Sequence, residues 1–188
     1  MFEWKVDENV SLKLIDHHDA EALFALIQDS RAHLREWLPW LDYNTELQHT
    51  KEFIESSLVS YSKQQSVTTL MLSKGQPAGV CTLRYPFSFN QTASIGYWIA
   101  PAFTGNGIVT KASQALTNYA FLGGNVDKVE IRAAVENKKS RNVPERLGFV
   151  QEGTIRQEEW LYDHYVDIVV YGLLKSEWLQ REHTKSGR

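Results

Sequence analysis

Two short stretches of the 188-residue chain carry residue types whose spacing suits chemistry on a bound ligand. The first is Thr104-Gly105-Asn106-Gly107, set between an apolar run that stops at Pro101 and a segment with a small-residue face. Glycines lack Cβ, so the backbone there can bend sharply and a ligand can approach its N–H groups closely. If a helix opens at this point, its first N–H groups have no intrahelical partner, and its macrodipole adds about +0.5 charge. A phosphate or diphosphate is the guest such a helix start accepts. A plain strand-to-helix turn accounts for the same residues, so the glycines alone leave both readings open. Two familiar phosphate loops do not match. A dinucleotide fingerprint needs glycine at position 110, which is Thr110, and a P-loop needs glycine before its lysine, where Thr110 precedes Lys111.

The second stretch is Asn137-Lys138-Lys139-Ser140, followed by Pro144, Glu145, Leu147-Gly148-Phe149 and Glu152-Gly153. Asn137 suits an N-cap, and Ser140 falls on the same face of the helix that follows. Capping alone explains most Asn-x-x-Ser sequences. Pro144 adds a constraint, because it has no N–H for the Ser140 carbonyl and its ring crowds that oxygen. The helix is expected to bend at Ser140 and to leave the polar groups of this serine free for a ligand.

Both stretches need a scaffold. Val10, Leu12 and Leu14 alternate with Ser11, Lys13 and Ile15, a strand pattern. A polar cluster at residues 16–19 suits a helix start, and Ala22, Leu23, Leu26 and Ile27 form a helical stripe running towards Trp37-Leu38-Pro39-Trp40. Residues 45–63 read as a second helix with Phe53, Ile54, Leu58 and Tyr61 on one face. Strands at about 67–72 and 78–84 flank Lys74-Gly75-Gln76-Pro77 as a hairpin. A polar loop at 88–92 leads into a strand at 93–100. The helix after Gly107 carries Ile108, Ala112, Ala115 and Tyr119, and stops at Gly123-Gly124-Asn125. Val129, Ile131, Ala133 and Val135 mark another strand, Asn137 starts a short helix, and residues 149–157 and 162–174 read as a final strand pair. The order β-α-α-β-β-β-α-β-α-β-β gives one α/β (α+β) domain over residues 1–180, a mixed sheet flanked by helices, with a loose tail at 181–188.

Composition narrows the function classes. Roughly 70% of the unfolded surface of a chain this long is buried on folding, enough for one core without staples. A formal net charge of -3 argues against non-specific nucleic-acid binding. The single cysteine, Cys81, excludes an intramolecular disulfide, and a cysteine-based zinc site is not expected. A metal is not expected at all. The N-terminal segment has no signal-peptide pattern, and no apolar run approaches the roughly 20 residues of a membrane span. The chain is expected to be soluble and cytoplasmic.

At these motifs the chain resembles the GNAT superfamily of acyl-CoA-dependent N-acetyltransferases, over about residues 10–178. The strand-turn-helix resembles the family's acetyl-CoA diphosphate loop, and N-x-x-S-x-x-x-x-E-x-L-G-F-x-x-E-G its next block. Ala134-Val135-Glu136-Asn137, Gln157-Glu158-Glu159-Trp160 and Tyr162-Asp163-His164-Tyr165 extend the match to the branch that acetylates N-termini of ribosomal proteins (the RimJ/RimL type), and within it to the YdaF-like group. The resemblance implies acetyl-CoA as co-substrate, a protein N-terminus or small amine as acceptor, and a homo-oligomer. It implies that Thr104, Gly105, Asn106, Gly107, Ile108, Val109 and Thr110 cradle the diphosphate. Ile99 and its strand would pair with the pantetheine arm, and Asn137 would hydrogen-bond that arm. Two positions depart from the family pattern: Thr104 replaces a Gln or Arg, and Val109 a small residue. The backbone N–H groups survive both changes, so cofactor binding is expected to persist.

In that branch the serine of N-x-x-S is proposed to protonate the thiolate and a glutamate nineteen residues later to act as base, which implies Ser140 and Glu159. Glu158 and the Trp160 indole beside Glu159 would both raise its carboxyl pKa. A solvated strand edge accounts for the same pair. Trp37 and Trp40 are candidate acceptor-site residues, as the corresponding region is in the family, or else members of a packed turn. Tyr162 is a third candidate. His164 and Tyr165 are alternative acid or base groups, or ordinary strand residues. His17 and His18 read as capping or surface residues, and Cys81 as a small buried hydrophobe. Magnitudes favour one acceptor class. Deprotonating an α-amine at pH 7 costs about 1 kcal/mol, against about 5 kcal/mol for a lysine, which suits a single carboxylate base to N-terminal amines. Polyamines and antibiotics remain alternative acceptors, and a non-catalytic acyl-CoA-binding protein is the alternative of another class.

Overall fold

The computed structural model describes residues 3–85, 91–123 and 125–186. Its eight strands form one sheet: β1 (Glu3–Lys5), β2 (Val10–Leu14), β3 (Ser66–Ser73), β4 (Gln76–Arg84), β5 (Thr92–Ile99), β6 (Lys128–Ala134), β7 (Val150–Leu161) and β8 (His164–Leu174). The spatial order is β1-β2-β3-β4-β5-β6-β8-β7. Every neighbouring pair is antiparallel except β5 and β6. Parallel neighbours need a crossover, and here it is the helix that follows the glycine turn. The helices are α1 (Ala20–Asp29), α2 (Arg31–Leu34), α3 (Leu47–Ser62), α4 (Ile108–Gly123), α5 (Lys138–Arg146) and α6 (Lys175–Ser186).

The predicted order of elements is present, with additions at both ends and a short helix inside. β1, the short α2 and α6 escaped the sequence reading. The loose tail expected from Arg181 is instead helical to Ser186, and Arg181 donates to the carbonyls of Leu147 (2.9 Å) and Gly148 (2.6 Å). Residues 187–188 lie outside the described residues, as do Gly124 and positions 88–90 of the polar loop.

Two cores flank the sheet. On one face α4 packs Ile108, Ala112, Ala115, Leu116, Ala120 and Phe121 against Ile95, Val129, Ile131 and Tyr171. Small side chains let the helix lie close to the strands. Tyr119, placed on that stripe by periodicity, points outward instead and meets Trp4 at 6.5 Å. On the other face α1 and α3 bury Leu23, Ile27 and Ile54 against Leu70, Leu72 and Val80. The buried residues of α3 are Thr50, Ile54 and Ser57, a narrower stripe than expected, because Phe53 and Tyr61 face outward.

The register of β5 creates the opening that matters. It pairs with β6 only as far as Ile95↔Ile131, then continues through residues 96–99 bound to β4 alone. Meanwhile β6 runs on to Ala134 against β8. The sheet splits there. Ala100 N donates to Ala78 O at 2.8 Å, which sets the alternation on the β4 side. The peptide groups of Gly96 and Trp98 therefore serve β4, and those of Tyr97 and Ile99 face the split.

Gly79, opposite Ile99 in β4, keeps this region closely packed. A Cβ there would lie 2.8 Å from Ile99 Cα and press on the Trp98 carbonyl oxygen, both backbone atoms that cannot swing aside. Gly79→Ala is expected to cost about 1–3 kcal/mol as an overpacked site. At about 2–4 °C per kcal/mol for a chain of this size, thermal unfolding reads that as a midpoint several degrees lower.

Candidate active site

The glycine turn folds as its residues dictate. Gly105 (φ 80°) and Gly107 (φ 71°) both adopt left-handed backbone, and a Cβ at Gly105 would meet nothing within 4 Å. Conformation rather than crowding therefore requires glycine there. Thr104 Oγ1 donates to Pro101 O at 2.8 Å, and Asn106 Nδ2 donates to Phe103 O at 3.2 Å. The residue that departs from the family's Gln or Arg thus staples the turn rather than reaching outward. The α4 ladder opens with Lys111 N donating to Gly107 O at 3.0 Å, so the preceding amides have no acceptor within the helix. Lys111 itself pairs with Asp7 at 2.5 Å.

From this turn a cleft of about 320 Å³ runs between the split strands. Tyr97, Trp98 and Ile99 of β5 form one wall, Glu136 to Ser140 and Val143 another, and Thr104 and Val109 the end at the glycine turn. His33, Leu34, Glu36, Trp37 and Leu38 close it from the side of α2. Asn137 Oδ1 accepts from Ser140 N at 3.1 Å, the N-cap its type predicts. Its Nδ2 makes no hydrogen bond among the described residues and remains available to a ligand.

Ser140 lies in this cleft, but its carbonyl is not free as expected from Pro144. Tyr97 Oη donates to it at 2.8 Å across 43 residues, and Ser140 Oγ makes a longer contact of 3.4 Å with the same phenol oxygen. Burial raises the Tyr97 pKa well above its ordinary value, so this phenol holds its proton.

Of the predicted residues, the cleft brings together Trp37, Ile99, Thr104, Val109, Asn137 and Ser140. Trp40 stands behind it, tilted against Trp98 at 6.5 Å between ring centroids. Tyr162 is not among the residues lining the cleft. It sits in the β7–β8 turn, and its hydroxyl donates to the carbonyls of Arg35 (2.5 Å) and Leu38 (3.2 Å). The Arg35 guanidinium lies 4.2 Å from the centre of the Tyr162 ring and also binds Asp42 through two nitrogens, at 2.8 and 2.9 Å. These contacts anchor the segment that carries Trp37 and Leu38.

Glu159 is not among the residues lining the cleft. A bulge at Gln157 (φ 51°), whose N donates to Asp167 Oδ1 at 2.8 Å, interrupts β7 before it. Pairing resumes at Glu159↔Val166, two residues from the Ile168↔Ala134 pair that ends β6. Glu159 therefore lies level with the open end of the split, two strands away from β6. Glu159 is exposed on β7, and partial desolvation of its carboxyl raises its pKa from the ordinary value, with no contribution from Glu158. Glu158 instead faces Arg132 at 3.7 Å.

The other candidates have local partners. His164 Nδ1 lies 2.7 Å from Asp163, and Tyr165 packs edge-on to Trp160 at 4.8 Å. Cys81 is fully buried, with its thiol pushed up to about 12 by desolvation, which keeps it from acting as a nucleophile. Among the described residues no group of three or more His, Cys, Asp or Glu gathers as a metal set, and no helix is long and apolar enough to cross a membrane. Sequence reasoning missed Tyr97, His33, Glu36 and Glu136 as cleft residues. Only the place of Glu136 and Tyr97 beside recognised motifs marked them.

Similarity to known proteins identifies the family. The Acetyltransferase (GNAT) domain family matches residues 9–150. YdaF of Bacillus subtilis (strain 168), which carries a provisional name as a ribosomal N-acetyltransferase, is 37% identical over 179 residues, 95% of this chain and 98% of its own length. The ribosomal-protein-serine acetyltransferase of Escherichia coli (strain K12) is 27% identical over 89% of this chain and 93% of its own. The solved structure of RimL, a ribosomal L7/L12 alpha-N-protein acetyltransferase in complex with coenzyme A, superposes with a TM-score of 0.89 at 26% identity, covering 94% of this chain and 99% of that one. The chain belongs to the GNAT family and is an acetyltransferase.

Proposed function

We propose that this chain transfers the acetyl group of acetyl-CoA to the N-terminal α-amine of a protein, with a ribosomal protein as the acceptor its relatives favour. The observation that carries the reading is the split between β5 and β6, which turns the Tyr97 and Ile99 peptide groups towards a cleft that reaches Thr104 and Val109 of the glycine turn and has Ser140 on its wall. A diphosphate suits the amides of residues 105–110, where the helix dipole adds to their attraction. The exposed edge of β5 suits the amides of a pantetheine arm, and Asn137 Nδ2 supplies a further donor. Such a chain of contacts brings the thioester beside Ser140.

Acyl transfer then needs a neutral amine and a protonated leaving group. The amine nitrogen bonds to the acetyl carbonyl carbon as the carbon–sulfur bond breaks. Glu159 accepts the proton that the amine gives up, by way of water, because it stands off the cleft. Ser140 Oγ–H gives its proton to the departing thiolate and regains one from solvent. Glu136, which does line the cleft, supports a second reading of the base.

Mass spectrometry after incubation with acetyl-CoA tests the acceptor. Peptides with free N-termini, spermidine and an aminoglycoside serve as competing amines. Acetyl on the peptide α-nitrogen is the expected product. Exclusive modification of spermidine or the aminoglycoside would reject the protein acceptor, and binding of CoA without turnover on any amine would reject the enzyme reading.

A further inference from the structure

Pro144 creates a vacancy in α5 that a residue from another element fills. In an unbroken helix the N–H of residue 144 would bond the Ser140 carbonyl, and proline has none to offer. Tyr97 Oη takes that place at 2.8 Å. The carbonyl is part-buried, and leaving such an acceptor without its donor carries a desolvation cost. Tyr97 also contributes its peptide group to the exposed edge of β5, on the opposite wall. One side chain therefore sets the distance between the strand that suits the pantetheine arm and the helix turn that holds Ser140.

We infer that Tyr97 is a positioning residue for the reaction: its phenol, standing in for the amide that Pro144 lacks, holds the Ser140 hydroxyl at the thioester sulfur. The inference rests on the acid role of Ser140 proposed above. Tyr97 moves no proton in this account. Its phenol stays protonated, its hydrogen is committed to the Ser140 carbonyl, and its oxygen receives the Ser140 hydroxyl at 3.4 Å when no thiolate is present.

A second-site rescue makes the test specific. Tyr97→Phe keeps the ring and removes only the donor, and is expected to lower kcat about tenfold while KM for acetyl-CoA changes less than twofold. Such a fold-change corresponds to the loss of one hydrogen bond to a part-buried acceptor. Adding Pro144→Ala returns an N–H to α5 within reach of the same carbonyl, and the double variant is expected to recover most of the lost kcat. Circular dichroism and thermal unfolding of each variant establish that the fold is intact.

A tenfold loss that Pro144→Ala does not recover would overturn the stand-in role, because it would require the phenol itself at the reacting atoms. Unchanged kcat in Tyr97→Phe, with Ser140→Ala strongly impaired, would overturn the inference and leave the acid assignment standing. Ser140→Ala with full activity would instead reject the acid assignment, and the inference with it.

Discussion

Ser140→Ala is expected to lower kcat by about 10²-fold, at the low end of what general acid catalysis supplies. Its hydroxyl lines the cleft and can donate a proton without first being charged, whereas the hydrogen of the neighbouring Tyr97 phenol is committed to the Ser140 carbonyl. The loss stays at the low end because a thiol with a pKa of about 8.5 already leaves readily near neutral pH. KM for acetyl-CoA should move little, since the contacts proposed for the cofactor are the amides after Thr104, the β5 edge and Asn137 Nδ2. Ser140→Ala keeps the backbone N–H that Asn137 Oδ1 accepts and the carbonyl that Tyr97 binds, so the helix start survives. Steady-state kinetics paired with CoA binding by calorimetry checks this. A rise in the CoA dissociation constant that matches the fall in kcat/KM would assign Ser140 to binding rather than to chemistry.

Glu159→Gln is expected to reduce kcat/KM for a peptide amine by about 10²-fold at pH 7, the low end of what a general base supplies, because this one acts through water. The deficit has a pH signature. Partial desolvation raises the Glu159 carboxyl pKa, so the acid limb of the wild-type profile should lie above the ordinary glutamate value. Activity rises through that limb as the carboxyl loses its proton, because only the carboxylate accepts one. An acceptor α-amine with a pKa of about 7.8 becomes neutral without help as pH approaches 9. The gap between Glu159→Gln and wild type should therefore narrow with rising pH. Glu136→Gln is the control. If Glu136→Gln abolishes the acid limb while Glu159→Gln keeps it, the base is Glu136, which lines the cleft.

Relatives and fold neighbours place the chain in its family, but the residues explain why the cleft exists. Legibility in the sequence follows the range of the interactions involved. The strand, glycine turn and helix from Thr92 to Gly123 were readable because each step is local: positive φ at Gly105 and Gly107, and a helix whose small residues recur with its period. The Asn137 cap is local as well, spanning three residues. Where periodicity failed it did so at the margins. Tyr119 fits the stripe of α4 by spacing, yet it stays exposed and meets only the edge residue Trp4 of β1.

The chain by itself determined the order of its main elements though not β1, α2 or α6, the helix start with its unpaired amides, and the missing donor at Pro144, because backbone geometry and capping act over a few residues. Tertiary structure alone decided that β5 and β6 part after Ile95, that Tyr97 reaches Ser140 across 43 residues, and that Tyr162 anchors the Arg35–Leu38 segment across 127. It also decided that Glu159 resumes pairing after a bulge and stands off the cleft. These are products of register and packing between distant segments, and no short window of sequence contains both partners.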